Sequence, residues 1–179
     1  MLTICQKFPI YKLTGATSND MSGFKEFSNE VSDGRWKIYF FWPKDFTFVC
    51  PTEIEGFADL NEKFNTAGAD VYGISTDSEF VHMAWRKSHP GLTKLPFPML
   101  SDIRRELSSE LGILHSKEGV CLRATYIVDP EGTIRHVSVN DLSVGRSPEE
   151  ILRILEGLKN GGLMPCNWKP GQQPIDLAA

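Results

Sequence analysis

The run WKIYFFWPKDFTFVCPTE, from Trp36 to Glu53, decides how the rest of the chain is read. Its first seven residues, Trp36 to Trp42, form a nearly unbroken apolar stretch. A strand with only one face in the core would alternate, so a continuous run predicts a strand buried on both faces. A short loop follows, then Cys50, then Pro51 at the expected first position of a helix. Ile54, Phe57, Ala58 and Phe64 continue at helical spacing. A buried strand feeding a helix through a short loop is the unit of an α/β layered protein.

Working outward, Ala69 to Ile74 predicts a second strand, and Glu79 to Ser88 a helix with Phe80, Met83 and Ala84 on one face. Pro90 lies just past that helix. Phe97 to Leu100 predicts a short strand, followed by a helix from about Ile103 to Leu111 that Gly112 ends. Ala124 to Val128 and Thr133 to Val139 flank Asp129-Pro130-Glu131-Gly132, a strong turn signal, and predict a hairpin. The last helix has Ser147 as N-cap, Pro148 at the first position and Glu150 closing a capping box. Ile151, Ile154, Leu155 and Leu158 form its apolar face. No repeat or linker divides the chain, so one domain is expected over residues 1–179, with a C-terminal arm from about residue 160.

With 179 residues, 41% hydrophobic and 23% charged, the chain can build one sizeable core. A net charge of -4 gives no reason to expect nucleic acid or an anionic membrane surface as partner. No apolar run approaches the ~18 residues that span a bilayer. The N-terminus MLTICQKFPI lacks the basic start and apolar stretch of a signal peptide, so a cytoplasmic location is expected. The cysteines Cys5, Cys50, Cys121 and Cys166 are widely spaced and form no Cys-x-x-Cys. Zinc-ribbon and thioredoxin-motif chemistry therefore have no support, and the cysteines read as core residues or catalytic ones.

Cys50 has the context of a nucleophile. Free N–H groups and the positive dipole end of the following helix sit beside its sulfur. Free cysteine has a pKa of about 8.5, and helix N-termini or cations bring such thiols to roughly 3.5–7.5. Thr47, three residues earlier, carries a hydroxyl able to accept from one group and donate to another beside the sulfur. Pro43 fixes the loop entrance and shields the sulfur. Without these neighbours, Cys50 would read as a small buried hydrophobe.

The segment Pro43-Lys44-Asp45-Phe46-Thr47-Phe48-Val49-Cys50 resembles the Pro-x-x-x-Thr-x-x-Cys motif of the peroxiredoxins. Its flanks Phe41-Trp42 and Pro51-Thr52-Glu53 resemble the typical two-cysteine branch, in particular bacterial alkyl hydroperoxide reductase C subunits. The likeness continues through Ile74–Ser78, LPFPMLSD (95–102), RATYIVDP (123–130), VGRSPEE (144–150) and Asn167-Trp168. The resemblance implies a thioredoxin-like fold with a central mixed sheet flanked by helices. It implies a thiol-dependent peroxidase in which the Cys50 thiolate attacks hydrogen peroxide or an organic hydroperoxide and becomes a sulfenic acid. A second cysteine then forms a disulfide that an external thiol system reduces, with no metal or organic cofactor. Arg123 matches the family's active-site arginine, whose cation favours the thiolate and the departing oxyanion. Glu53 and Arg146 match a supporting ion-pair network, although either could be an exposed charge of little consequence.

The resemblance also implies a homodimer, assembled into a ring of five dimers. The reductant is left open between a flavoprotein disulfide reductase, a thioredoxin and a small dedicated partner. A holdase chaperone is the non-enzymatic alternative, and a thiol–disulfide exchanger the competing enzymatic one.

The chain departs from the family pattern near its end. The usual Val-Cys-Pro-Ala-Asn-Trp is replaced by LMPCNW, Leu163 to Trp168, with Met164 at the usual cysteine position and a cysteine two residues later. Cys166 is thus the expected resolving residue, on condition that the arm can bring the two Cα atoms within about 7 Å. Cys121 precedes Arg123 by two and would share its strand face, which could place it near the site as an auxiliary thiol. Core filling is the plainer expectation for Cys121, and packing for Cys5. His82 is expected to be structural, and His89, His115 and His136 show no metal-ligand spacing. The absence of Gly-Gly-Leu-Gly at Ile113–Lys117 and of a Tyr-Phe pair in the tail predicts resistance to overoxidation.

Overall fold

The computed structural model describes residues 1–176. The strands are β1 (Lys12–Ala16), β2 (Phe24–Ser28), β3 (Trp36–Phe41), β4 (Ala69–Ser75), β5 (Met99–Ser101), β6 (Arg123–Val128) and β7 (Ile134–Asn140). The α-helices are α1 (Cys50–Asp59), α2 (Asn61–Thr66), α3 (Glu79–Ser88), α4 (Glu106–Leu111) and α5 (Pro148–Asn160). One mixed sheet runs β2-β1-β5-β4-β3-β6-β7. Its centre is parallel, with β3 on β4 and β4 on β5. The outer strands are antiparallel to their neighbours.

The apolar run at Trp36 follows from this position. Ile38, Phe40 and Trp42 point into one core with Ile54, Phe57 and Leu155 from α1 and α5. Tyr39 and Phe41 point into a second core with Leu107 and Leu111 from α4. Both faces of β3 are therefore covered, and polar residues have no place in its middle. Gly73 on β4 serves the same packing, because a Cβ there would lie 2.7 Å from Trp42 Cζ3 and 2.9 Å from Phe40 Cζ.

The hairpin β6–β7, helix α3 and helix α5 lie where the sequence places them. Ser147 Oγ accepts from Glu150 N at 3.3 Å, but the capping box is half made. The Glu150 carboxylate pairs with Arg153 at 2.6 and 2.7 Å instead of turning back to the cap. The helix expected from Ile103 begins only at Glu106, because Arg105 is left-handed (φ 58) and breaks the preceding turn. Asp102 caps it from outside, accepting from Leu107 N at 3.3 Å and Ser108 N at 2.8 Å. Pro98 has no N–H to contribute to a ladder, so β5 starts at Met99 rather than Phe97. The helical spacing from Ile54 to Phe64 is divided between α1 and α2 at Leu60. The hairpin β1–β2 was not anticipated, since KLTGA and FKEFS carry little apolar signal at the sheet edge.

Candidate active site

Helix α1 begins at Cys50 itself, with Val49 as N-cap, so Pro51 occupies the second helical position and not the first. Cys50 is 1% exposed. Pro43, Lys44, Thr47, Phe48, Val49, Cys50, Glu118, Arg123 and Leu142 line one cavity of about 290 Å³. The loop, the helix start and the beginning of β6 thus meet at the Cys50 sulfur. Glu118 closes the rim through an ion pair with Lys44 at 3.3 Å.

Arg123 is fixed from three sides. Its Nε donates to the Leu142 carbonyl at 2.7 Å, and its Nη1 donates to Glu53 Oε2 at 2.5 Å and to Cys50 Sγ at 3.4 Å. Glu53 has its second oxygen on Arg146, accepting from Nε at 2.7 Å and from the backbone N at 3.0 Å. The other end of Arg146 reaches the Ala124 carbonyl at 2.7 Å. All three charged side chains are buried, at 2–4% exposure. Two guanidinium groups and one carboxylate leave one net positive charge beside the sulfur. Burial pulls Arg146 below the usual arginine value, with Glu53 working against it. Burial acts likewise on Arg123, but its hydrogen bond to Cys50 and the Glu53 charge outweigh this and raise it.

The loop is anchored by a second buried assembly that the sequence reading did not single out. Asp45 Oδ1 accepts from Trp42 Nε1 at 2.8 Å, and Oδ2 faces His82 Nδ1 at 2.7 Å. His82 is fully buried, and its Nε2 lies 3.1 Å from the Leu100 carbonyl. The Asp45 backbone N–H donates to Asp77 Oδ2 at 3.0 Å. Burial opposes the imidazolium, yet the Asp45 charge outweighs it and raises His82 above its ordinary value. Phe46 follows in a left-handed conformation (φ 56), with its ring 5.8 Å from that of Trp85. The structural role expected of His82 is therefore to fix the loop that carries Thr47. An acidic residue in an apolar loop was the available signal.

A scan of the chain against family models matches the AhpC/TSA family over residues 4–137. The chain belongs to the AhpC/TSA family. The Alkyl hydroperoxide reductase C of Mycolicibacterium smegmatis is 47% identical over 185 aligned positions, covering 98% of this chain and 94% of that protein. The solved structure of Mycobacterium tuberculosis AhpC superposes with a TM-score of 0.86 at 46% identity, over 94% of this chain and 99% of that one. The reduced 2-Cys peroxiredoxin of Plasmodium vivax gives a TM-score of 0.89 at 31% identity, over 97% and 92%. The thioredoxin-like expectation for the fold is met in these AhpC/TSA relatives.

Cys121 takes the core-filling place that was its plainer expectation, whereas Cys5 departs from expected packing. Cys121 lies in the core beneath α4, fully buried, and burial pushes its thiol up to about 12. It does not share the Arg123 side of a strand, because β6 begins only at Arg123 and a tight Ala124 N to Leu122 O bond (2.9 Å) bends the chain just before it. Cys5 is exposed with φ 68, not packed. Cys166 is also exposed and lines a different cavity, with Met164 and Arg153, so it does not meet Cys50 within the chain. Among the described residues no cluster of His, Cys, Asp and Glu could hold a metal ion, and no helix is long and apolar enough to cross a membrane.

Proposed function

We propose that this protein is a thiol-dependent peroxidase that reduces hydrogen peroxide and organic hydroperoxides through Cys50. The observation that carries the reading is the Arg123 N–H donated to Cys50 Sγ at the floor of a small cavity. The thiolate attacks the terminal oxygen, the O–O bond breaks, and the alkoxide or hydroxide leaves and takes a proton. Cys50 is left as a sulfenic acid. Arg123 stabilises both the thiolate and the oxyanion that departs. The Thr47 hydroxyl donates to the Lys44 carbonyl at 2.9 Å, so its lone pairs are the ones free to accept the peroxide O–H. Pro43, buried at the cavity edge, offers no N–H to compete for the substrate. Glu53 and Arg146 hold Arg123 in register.

Cys166 is the resolving thiol. Its distance from the Cys50 cavity favours reaction across two subunits, with residues 1–179 acting as one domain and the segment after Asn160 as its arm. Cys50 must leave its buried position in the first turn of α1 for such a bond, since a disulfide needs the Cα atoms within about 7 Å. Phe46 and Phe48 of the catalytic loop are 56% and 94% exposed. Such apolar exposure beside the site supports assembly into homodimers and a ring of five dimers. The cellular reductant is a dithiol protein: a flavoprotein disulfide reductase, a thioredoxin or a small dedicated partner. The setting is the cytoplasm. The relatives' names give no support to the holdase alternative.

The test is peroxide consumption with a dithiol reductant, comparing the natural protein with Cys50→Ser and Cys166→Ser. Loss of turnover in Cys50→Ser, and a single turnover ending in sulfenic acid in Cys166→Ser, are expected. Undiminished consumption by Cys50→Ser would overturn the reading.

A further inference from the structure

Helix α5 carries an arginine that the peroxide step does not use. Arg153 donates from Nε and Nη2 to the two carboxylate oxygens of Glu150, at 2.6 and 2.7 Å, one turn earlier on the helix. Its remaining nitrogen, Nη1, donates to the Trp168 carbonyl at 3.2 Å. A guanidinium is a rigid planar fork, so the Glu150 clamp aims Nη1 at that carbonyl. Trp168 is itself fixed: it is 2% exposed, and its indole N–H donates to the Gln172 carbonyl at 2.9 Å. Its ring lies over Gly157, where a Cβ would come within 3.7 Å of it. The Trp168 backbone N–H returns to the Pro165 carbonyl at 3.1 Å and closes a four-residue turn. Cys166 and Asn167 are the central residues of that turn. Asn167 has φ 57, a left-handed conformation that asparagine tolerates better than most residues. The Cys166 thiol stands exposed at the tip, in the same cavity as Arg153.

We propose that Arg153 is the positioning residue of the second chemical step: by holding the Trp168 carbonyl it seats the Pro165–Trp168 turn on α5 and presents the Cys166 thiol to the oxidised Cys50. The inference rests on the reading of Cys166 as the resolving cysteine. In that step the Cys166 sulfur attacks the sulfur of the Cys50 sulfenic acid. The S–S bond forms, the S–O bond breaks, and the hydroxyl group leaves with the Cys166 proton as water. The oxidising equivalent has already come from the hydroperoxide, so no other oxidant is required. Arg153 acts through the turn rather than on either sulfur. A seated turn needs only the encounter with Cys50, whereas an unseated arm spreads the thiol over many positions and lowers its effective concentration.

The test uses the full chain, unmodified and as Arg153→Met, Arg153→Lys and Glu150→Gln. Reduced protein is mixed with hydrogen peroxide, quenched with an alkylating agent at millisecond intervals, and mapped by mass spectrometry. Oxidation of Cys50 and the Cys50–Cys166 link are followed separately. In Arg153→Met the first step should stay within about twofold and the second should slow about tenfold, the loss of one charge-assisted contact. Arg153→Lys should recover part of the rate, and Glu150→Gln should show a smaller slowing in the same direction. The peroxide concentration that converts half of Cys50 to sulfinic acid should fall in step, because the sulfenic acid partitions between Cys166 and a second peroxide. A merely structural role would slow both steps together. Equal slowing of both steps, or a link formed in Arg153→Met at the natural rate or faster, overturns the proposal. Absence of any Cys50–Cys166 link in the unmodified protein overturns the resolving assignment and this proposal together, and is distinguished by that control.

Discussion

Among the described residues, Arg123 is the one side-chain donor to the Cys50 sulfur, and replacing it by methionine removes that donor while keeping much of the buried volume. At 3.4 Å, and with an effective dielectric of about 20, a unit cation and a thiolate attract by about 5 kcal/mol. Glu53, 2.5 Å from the same Nη1, offsets part of that. What remains matches the about 10²–10³-fold that loss of one oxyanion donor costs. The second-order rate of Cys50 oxidation, measured in a single turnover by stopped flow, should fall by that factor in Arg123→Met. Arg123→Lys keeps the charge but cannot reproduce the fork that reaches Leu142, Glu53 and Cys50 together, so it should lose about tenfold. Glu53 retains Arg146 in both variants, and both should stay folded. A folded Arg123→Met that reacts within threefold of the natural rate would refute the reasoning.

Three further outcomes follow from the packing. His82→Gln breaks the buried pair with Asp45 and should cost about 3–5 kcal/mol near neutral pH. Because His82 is raised in the folded state, its contribution is complete below the unfolded value of about 6.5 and fades as pH rises through the folded value. The melting difference between the two proteins should therefore be widest near pH 6 and shrink toward pH 9; a difference that grows with pH contradicts this. Arg86 is 1% exposed and donates to the carbonyls of Thr17, Leu95 and Phe97 at 3.0–3.1 Å, which an ammonium cannot serve together. Arg86→Lys should cost about 3 kcal/mol and lower the melting temperature by about 6–12 °C in calorimetry. Gly73→Ala forces a methyl group against Trp42 and Phe40 and should destabilise by about 1–3 kcal/mol in urea unfolding.

The elements read correctly are those with local signals. The both-face burial of β3 shows as an unbroken apolar run, α3 shows as helical spacing with Pro90 just beyond it, α5 carries a serine cap, and the β6–β7 turn is written in Asp129-Pro130-Glu131-Gly132. The failures are places where a distant residue or a backbone conformation decides. Helix α4 is capped by Asp102 from across the left-handed Arg105, which no spacing rule anticipates. The strands β1 and β2 are stabilised by pairing at the sheet edge more than by apolar content. Within the site, the Cys50 helix start and Thr47 were legible from local chemistry. The meeting of Glu53, Arg123 and Arg146 was legible only through family resemblance, because α1, β6 and the loop before α5 come together across the sheet. Core filling by Cys121 was the plainer expectation and holds, and only the auxiliary-thiol alternative fails, because it extended strand alternation past the real start of β6. The Asp45–His82 contact joins residues 37 positions apart and left only the weak sign of an acid in an apolar loop.

The most direct test of the account is to add one equivalent of hydrogen peroxide to the reduced Cys166→Ser protein, trap sulfenic acid with a carbon-acid reagent, and map the modified peptide. The account predicts a single adduct at Cys50, absent when the protein is alkylated beforehand. An adduct at Cys5 or Cys121 with Cys50 unmodified would contradict it.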